Sequence, residues 1–252
     1  MTTELWAGEG TEDVIEKCLE VSSPAELLSL LEKRAADVGA RYVTYLGAAL
    51  PSVPRNPQRL PFHLSNYPKE WVLRYFRERY LDTDPVVISA IARRLPFAWD
   101  DGPGSRSRLL PKQRKMMSEA SEFGIRFGYT APVRGPNGEL ALLTLAWDDA
   151  EVFRKAIAAQ RDRLLLTAIF AHEAVARLLP KTAPISANTL TNAEKECLLW
   201  AARGKSSWET AQILGRSEST INFHLKNASE KLQAANKCHA VVKAVLDNII
   251  TP

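Results

Sequence analysis

The stretch from Thr191 to Pro252 constrains the fold most tightly. Thr191-Asn192-Ala193-Glu194 has the S/T-x-x-E form of a capping box, in which the Thr191 hydroxyl and the Glu194 carboxylate satisfy backbone N–H groups at the start of a helix. That helix would carry Cys197, Leu198 and Ala201 on one face. It should stop at Gly204, the residue type that most easily takes a left-handed conformation past a helix end. A second short helix is expected from about Ser207 to Leu214, ending at Gly215, with Ser217 capping a third. This is the spacing of a helix-turn-helix.

The third helix has two distinct sides. At about 100° per residue, Ile221, Leu225, Ala228 and Leu232 fall in one stripe that would pack on the first two helices. Ser219, Asn222, Phe223, Lys226 and Glu230 fall on the other side. Amides and lysine can bond base edges or phosphates in a major groove, and an aromatic ring can touch a thymine methyl. A solvated face of an ordinary helical hairpin would look much the same.

From Leu190 to Ile250 the chain resembles the four-helix DNA-binding domain of the LuxR family. Glu194, Trp200, Gly204, Lys205, Glu209, Ala211, Leu214, Gly215, Ser217, Thr220, His224, Asn227, Lys231, Leu232 and Ala240 match its pattern. Departures are mild: Thr210 stands where that family usually has Ile, and Trp208 is bulky at a variable position. The resemblance implies that Lys205, Ser206, Ser219, Thr220, Asn222, Phe223 and Lys226 face double-stranded DNA.

Charge adds no independent argument for nucleic acid. The net charge is +4, and residues 189–252 hold eight Lys/Arg against six Asp/Glu, leaving an equal excess in the remainder. Nucleic acid would have to be held by placed residues rather than by a strong overall field. Cys18, Cys197 and Cys238 are odd in number and far apart, which argues against a disulfide framework or zinc site and fits a reducing cytoplasm. No apolar run approaches the ~18 residues of a membrane span, so a cytoplasmic protein with no membrane partner is expected.

Residues 180–188 are polar, carry two prolines and lack periodicity, so they read as a linker between residues 1–179 and 189–252. Within the first part, helices are expected at 11–20, 24–38, 68–79, 85–94, 111–123 and 151–179. Strands are expected near 41–47, 61–65, 97–99, 126–134 and 139–147, with Pro136-Asn137-Gly138 as a tight turn between the last two. Asp100 to Arg108 reads as irregular. The fold class that follows is an α+β domain, with an antiparallel sheet between helical layers as an α/β/α sandwich, plus an all-α C-terminal domain.

Tyr67, Trp71 and Tyr75 recur every fourth residue, and Pro85 in the first turn of a helix would leave Asp84 at its cap. On spacing alone these are a core stripe and a helix cap. The segments Asn66–Val86, Pro96–Asp101 and Glu119–Ala146 also resemble, in order, the autoinducer-binding domain of acyl-homoserine-lactone receptors in the LuxR family. Tyr67, Trp71, Asp84 and Trp99 match that family's ligand-contacting motif. Tyr75 matches an aromatic lining position, Gly124 a structural glycine, and Thr144 a position commonly Ser or Thr.

Such a ligand carries an amide and a lactone ring. Ionised Asp84 accepts without donating and suits the amide N–H, whereas the Trp71 indole only donates and suits the lactone carbonyl. Tyr67 and Thr144 would donate to the amide carbonyl, with Tyr75 and Trp99 as apolar wall. Val72 and Val86 stand where relatives that recognise a 3-oxo chain place polar side chains, so an acyl group without the 3-oxo oxygen is expected.

The resemblance thus implies a quorum-sensing transcription regulator, homodimeric on a palindromic site, with RNA polymerase as a further partner and no cofactor beyond the signal. Leu164, Leu165, Ala168, Ala171, His172 and Val175 of the helix 151–179 include an apolar surface beyond what one sheet face needs, in a region through which the family dimerises in part; plain packing on the sheet would use the same residues, and both can hold. An orphan receptor of the same fold, answering a different small molecule, is the alternative. A phospho-receiver lacks its Asp/Lys set. For an enzyme, His63, His172, His224 and His239 fit no metal spacing, no nucleophile motif is present, and Asp100-Asp101 and Asp148-Asp149 read as solvated loop ends.

Overall fold

The computed structural model describes residues 11–49, 61–100, 102–135, 138–179 and 190–252. The linker read at 180–188 lies outside the described residues, as do Pro136 and Asn137 of the turn. The chain divides into two compact units, one of residues 1–134 and 139–180 and one of residues 135–138 and 181–252.

The first unit runs α1 (Thr11–Glu20), α2 (Pro24–Asp37), β1 (Tyr42–Ala49), β2 (His63–Ser65), α3 (Lys69–Arg77), a 3-10 turn (Tyr80–Asp82) and α4 (Pro85–Ala92). It continues with β3 (Phe97–Asp100), α5 (Pro103–Arg106), α6 (Pro111–Glu122), β4 (Phe127–Val133), β5 (Leu140–Trp147) and α7 (Ala150–Leu178). The five strands form one antiparallel sheet in the order β2-β1-β5-β4-β3.

Strand alternation divides this sheet cleanly, because successive side chains point to opposite faces. Val43, Tyr45, Tyr129, Ala131, Val133, Ala141, Leu143, Leu145 and Trp147 join Leu27 and Leu31 of α2 and Leu164 and Ala168 of α7 in one core. Each fully buried Leu contributes about 1.5–3 kcal/mol of hydrophobic stabilisation. Trp147 donates its indole N–H to the Val38 carbonyl at the end of α2 (3.2 Å), which fixes that layer on the sheet. The same layer encloses a polar chain in which the Tyr45 hydroxyl meets His172 Nδ1 (2.7 Å) and His172 Nε2 meets Glu139 (3.2 Å). The opposite face presents Tyr42, Thr44, Leu46, Thr130, Leu142, Thr144 and Ala146 toward α3, α4 and α6.

Several details depart from the sequence reading. The helix expected over 68–79 ends at Arg77, because Arg79 adopts a left-handed conformation (φ 53°) and the chain re-forms as a 3-10 turn. Between Asp100 and Arg108, expected to be irregular, Pro103 starts a single helical turn, with the Asp100 carboxylate accepting from Gly102 N (2.7 Å). β4 and β5 each lie about a residue inside the expected bounds, ending at Val133 and starting at Leu140. On α7, Leu164, Ala168, Ala171, His172 and Val175 are buried against the sheet. These five are taken up by packing on the sheet, as an ordinary core helix would have them; Leu165 is half-buried, and Val152 (41% exposed), Leu166 (37%) and Ile169 (42%) are the large apolar residues of that helix that are exposed. Asp148 and Asp149 lie exposed at a loop end, as read, with Asp148 paired to Arg41 (3.2 Å) and Asp149 capping α7.

The second unit is α8 (Asn192–Ala202), α9 (Ser207–Leu214), α10 (Glu218–Lys231) and α11 (Lys237–Leu246). Thr191 and Glu194 form the expected capping box, Ser206 and Glu209 form another, and Ser217 caps α10. Gly204 (φ 81°) and Gly215 (φ 60°) take the left-handed conformation that ends each short helix. Leu198, Ile221, Leu225, Ala228 and Leu232 form the core with Ala240 and Ala244. Buried Glu194 binds Lys231 at 2.8 Å, tying the start of α8 to the end of α10.

Candidate functional site

A cavity of about 110 Å³ lies between the Thr44/Leu142/Thr144 face of the sheet and α3, α4 and α6. Tyr67, Trp71, Tyr75, Asp84, Val86, Trp99 and Thr144 all line it, so the fold gathers every pocket residue singled out in the sequence. Val72 lines it as well. The helical spacing holds for Trp71 and Tyr75 on α3. Tyr67 precedes the helix and reaches the cavity from the turn before Pro68, where Ser65 Oγ accepts from its backbone N–H (3.0 Å).

Asp84 sits where the Asp-Pro pair predicts, at the N-cap of α4. Its Oδ1 accepts from Val86 N (2.7 Å) and Val87 N (3.4 Å). Its Oδ2 accepts from the Tyr75 hydroxyl (2.8 Å) and keeps a further lone pair for the cavity. Burial pushes the Asp84 carboxyl above its ordinary value, against the opposing pull of these hydrogen bonds. Burial, with the charge of Asp84 beside them, pushes Tyr75 and Tyr67 well above the usual phenol value, so both stay protonated donors.

Two residues expected to supply only wall therefore have polar duties. Tyr75 holds Asp84, and the Trp99 indole donates to Thr130 Oγ1 at 3.0 Å. The Trp71 indole N–H and the Tyr67 hydroxyl take no partner among the described residues and line the cavity. Trp71 is fixed by its neighbours, with ring centroids 5.9 Å from Tyr75, 6.2 Å from Tyr80 and 5.7 Å from Phe123. Thr44, His63, Ser65, Met116, Met117 and Ile125 are among the further lining residues that the sequence reading did not assign to a pocket. Gly128 and Thr130, also unmarked, support the site from behind. Alternation along β4 with the Thr130↔Thr144 register would have found Thr130.

In the second unit, Ser219, Asn222, Phe223 and Lys226 are exposed on one side of α10, with Phe223 60% accessible. The Ser207 hydroxyl donates to Asn222 Oδ1 (2.6 Å), which turns the amide NH2 outward. Ser206 and Thr220 are used locally. Ser206 caps α9, and the Thr220 hydroxyl lies 2.7 Å from Ser217 Oγ. Lys205 pairs with Glu209 at 3.1 Å, whereas Lys226 approaches Glu230 only to 3.9 Å. Trp208, at a variable position of the family pattern, adds a second exposed ring (60%) on α9.

Comparison with known proteins matches both units. Residues 23–175 match the autoinducer binding domain, and residues 188–244 match the bacterial regulatory proteins of the luxR family. The chain is 35% identical over 248 residues to the HTH-type quorum sensing-dependent transcriptional regulator RpaR of Rhodopseudomonas palustris, covering 98% of this chain and 97% of that protein. It is 32% identical to the transcriptional activator AnoR of Acinetobacter nosocomialis, covering 93% and 96%. The crystal structure of Escherichia coli SdiA superposes with a TM-score of 0.70 at 25% identity, covering 96% and 98%. SdiA has also been solved in complex with octanoyl-rac-glycerol (TM-score 0.69, 26% identity, 96% of each chain).

Proposed function

Because the chain belongs to the LuxR family and is an autoinducer-binding transcription regulator, not an enzyme, we propose that its signal is an acyl-homoserine lactone. Residues 1–179 hold that signal, 180–188 serve as linker, and 189–252 bind a palindromic DNA site as part of a homodimer. Ligand favours the dimeric, DNA-binding state by binding it more tightly. The setting is the cytoplasm, with RNA polymerase as a further partner. Among the described residues no helix is long and apolar enough to cross a membrane.

One observation carries the ligand reading: a buried acceptor, Asp84 Oδ2, shares a cavity with the donors Trp71, Tyr67 and Thr144. A secondary amide needs an acceptor for its N–H and a donor for its carbonyl, and a lactone carbonyl needs another donor. Asp84 takes the amide N–H, Tyr67 and Thr144 the amide carbonyl, and Trp71 the lactone carbonyl. A buried polar group left unpaired costs about 1–3 kcal/mol, which is how the constellation selects a head group. Val72 and Val86 line the same cavity and offer no hydrogen bond, which favours an acyl group without a 3-oxo oxygen. Lys205, Ser206, Ser219, Thr220, Asn222, Phe223 and Lys226 form the DNA-facing set, with two recognition helices one DNA turn apart.

Thermal-shift screening against straight, branched and aryl homoserine lactones, each with and without a 3-oxo group, tests this. Stabilisation by unsubstituted members is expected, and stronger stabilisation by the 3-oxo form at matched chain length contradicts the acyl preference. The octanoyl-rac-glycerol complex of SdiA favours a second reading, an orphan receptor for a different acyl compound. Stabilisation by such an ester but by no lactone would select it.

A further inference from the structure

We infer that Thr130, a residue outside the cavity lining, is a positioning residue that fixes Thr144 as a hydrogen-bond donor toward the ligand; this rests on the amide-ligand reading above. Three side chains on neighbouring strands form a chain. Trp99 Nε1 lies 3.0 Å from Thr130 Oγ1, which lies 2.9 Å from Thr144 Oγ1. Only the last of the two threonines lines the cavity; Thr130 is fully buried.

The donor inventory sets the direction. An indole N–H can only donate, so Thr130 Oγ1 accepts from Trp99. Thr130 then has one proton to place, and Thr144 Oγ1 is its acceptor among the described residues. The reverse arrangement, with Thr144 donating, would give Thr130 two incoming protons and leave its own buried without an acceptor. The chain therefore runs Trp99 N–H to Thr130 O–H to Thr144 O–H, and each member polarises the next. Thr144 is left with its proton directed at the cavity, where it demands an acceptor.

This polarity complements Asp84. The Asp84 carboxylate can only accept, and an oriented Thr144 donates, so the two together read both halves of a secondary amide. The backbone is arranged to allow it. Gly128 pairs with Trp99 across β3 and β4, and a Cβ at position 128 would sit 2.0 Å from Trp99 Cζ2. The missing side chain lets the indole lie across β4 and reach Thr130.

The test uses the full chain and two probes, N-octanoyl-L-homoserine lactone and its thioamide counterpart, which keeps the N–H but offers only a weak sulfur acceptor. Calorimetric affinities are measured for the wild type, Thr130→Val, Thr130→Ser, Thr144→Val and the Thr130→Val/Thr144→Val pair. Trp99→Phe, which removes the first donor and leaves Thr130 in place, serves as an independent variant should Thr130→Val not fold. The wild type should prefer the amide, and about tenfold of that preference, the worth of one hydrogen bond, should belong to Thr144. Thr130→Val and Trp99→Phe should remove that tenfold share and leave the share of Tyr67, Thr130→Ser should retain the full preference, and Thr130→Val should add nothing in the Thr144→Val background. An unchanged preference in Thr130→Val or Trp99→Phe, or an equal loss for both probes, overturns the positioning role while the lactone reading stands. Failure of the wild type to bind either probe overturns both.

Discussion

Tyr75 donates its hydroxyl to Asp84 Oδ2 across 2.8 Å, joining α3 to the cap of α4 at the cavity wall. Asp84 therefore has two tasks, since Oδ1 holds the first turn of α4 and Oδ2 accepts from Tyr75 at the wall of the cavity. Tyr75→Phe leaves a buried carboxylate oxygen without its protein donor. It should lower the stability of the empty protein by about 1–3 kcal/mol and weaken lactone affinity, read by denaturant melts and calorimetry. An unchanged melt and unchanged affinity would show that this bond carries nothing.

Asp84 also gives a pH dependence with a defined sign. Burial raises its folded carboxyl above the ordinary value, so only between the unfolded and the folded value does the folded empty protein keep a proton that the unfolded chain has released, and above that window Asp84 is ionised in both. That contribution to stability is present below the unfolded value and is lost as pH rises through the raised one. A ligand N–H favours the carboxylate, so binding should release the proton and tighten as pH rises through the same window. Calorimetry in two buffers of different ionisation enthalpy checks it; pH-independent affinity with no proton release would contradict it.

Gly128→Ala would place a Cβ 2.0 Å from the Trp99 ring, inside any tolerable contact. The ring must leave its position or β4 must shift. Strain of this kind in a packed site costs about 1–3 kcal/mol, and lactone affinity should fall with it. Trp99 fluorescence in a chain lacking the other five tryptophans follows the displacement. Unaltered emission together with unaltered affinity would refute the contact.

Lys231→Met leaves Glu194, whose side chain is 3% exposed, without its cation, whereas Lys231 itself is 36% exposed. The loss should fall between the ~1 kcal/mol of a surface pair and the ~3–5 kcal/mol of a fully buried one. It should appear in unfolding of the second unit, and a second substitution, Glu194→Gln, should recover part of it. No destabilisation would mean that the pair is solvated.

On α10, Asn222→Ala and Phe223→Ala remove exposed side chains, so stability should stay within about 0.5 kcal/mol. Affinity for duplexes selected from a random library should drop by about 1–3 kcal/mol at the contacted position. Lys226→Ala should instead weaken all duplexes alike and reduce the salt slope by about one. Loss of base preference in Lys226→Ala, with none in Asn222→Ala, would reverse these roles.

Features set by local chemistry were legible in the sequence. The Thr191/Glu194 box, the helix ends at Gly204 and Gly215, and Asp84 at a cap all follow from a few adjacent residues, and the fold places them as read. What depends on register or on two distant segments was not legible. Thr130 becomes important only because β4 and β5 align it with Thr144, and the Tyr75 hydroxyl matters only because Asp84 folds back beside α3. On α7 the strongest apolar stripe proved to be the sheet-facing one. Periodicity finds the face that is buried and says nothing of the exposed apolar residues Val152, Leu166 and Ile169.

The central claim is that the cavity around Trp71 and Asp84 recognises an acyl-homoserine lactone through its amide. Calorimetric titration of the full chain with straight, branched and aryl homoserine lactones lacking a 3-oxo group, in parallel on the wild type and Asp84→Asn, tests it most directly. Saturable binding of at least one member to the wild type, weakened tenfold or more in Asp84→Asn as a charged hydrogen bond of ~1.5–3 kcal/mol requires, is the predicted result. Binding of no member, or equal binding to both proteins, would contradict it.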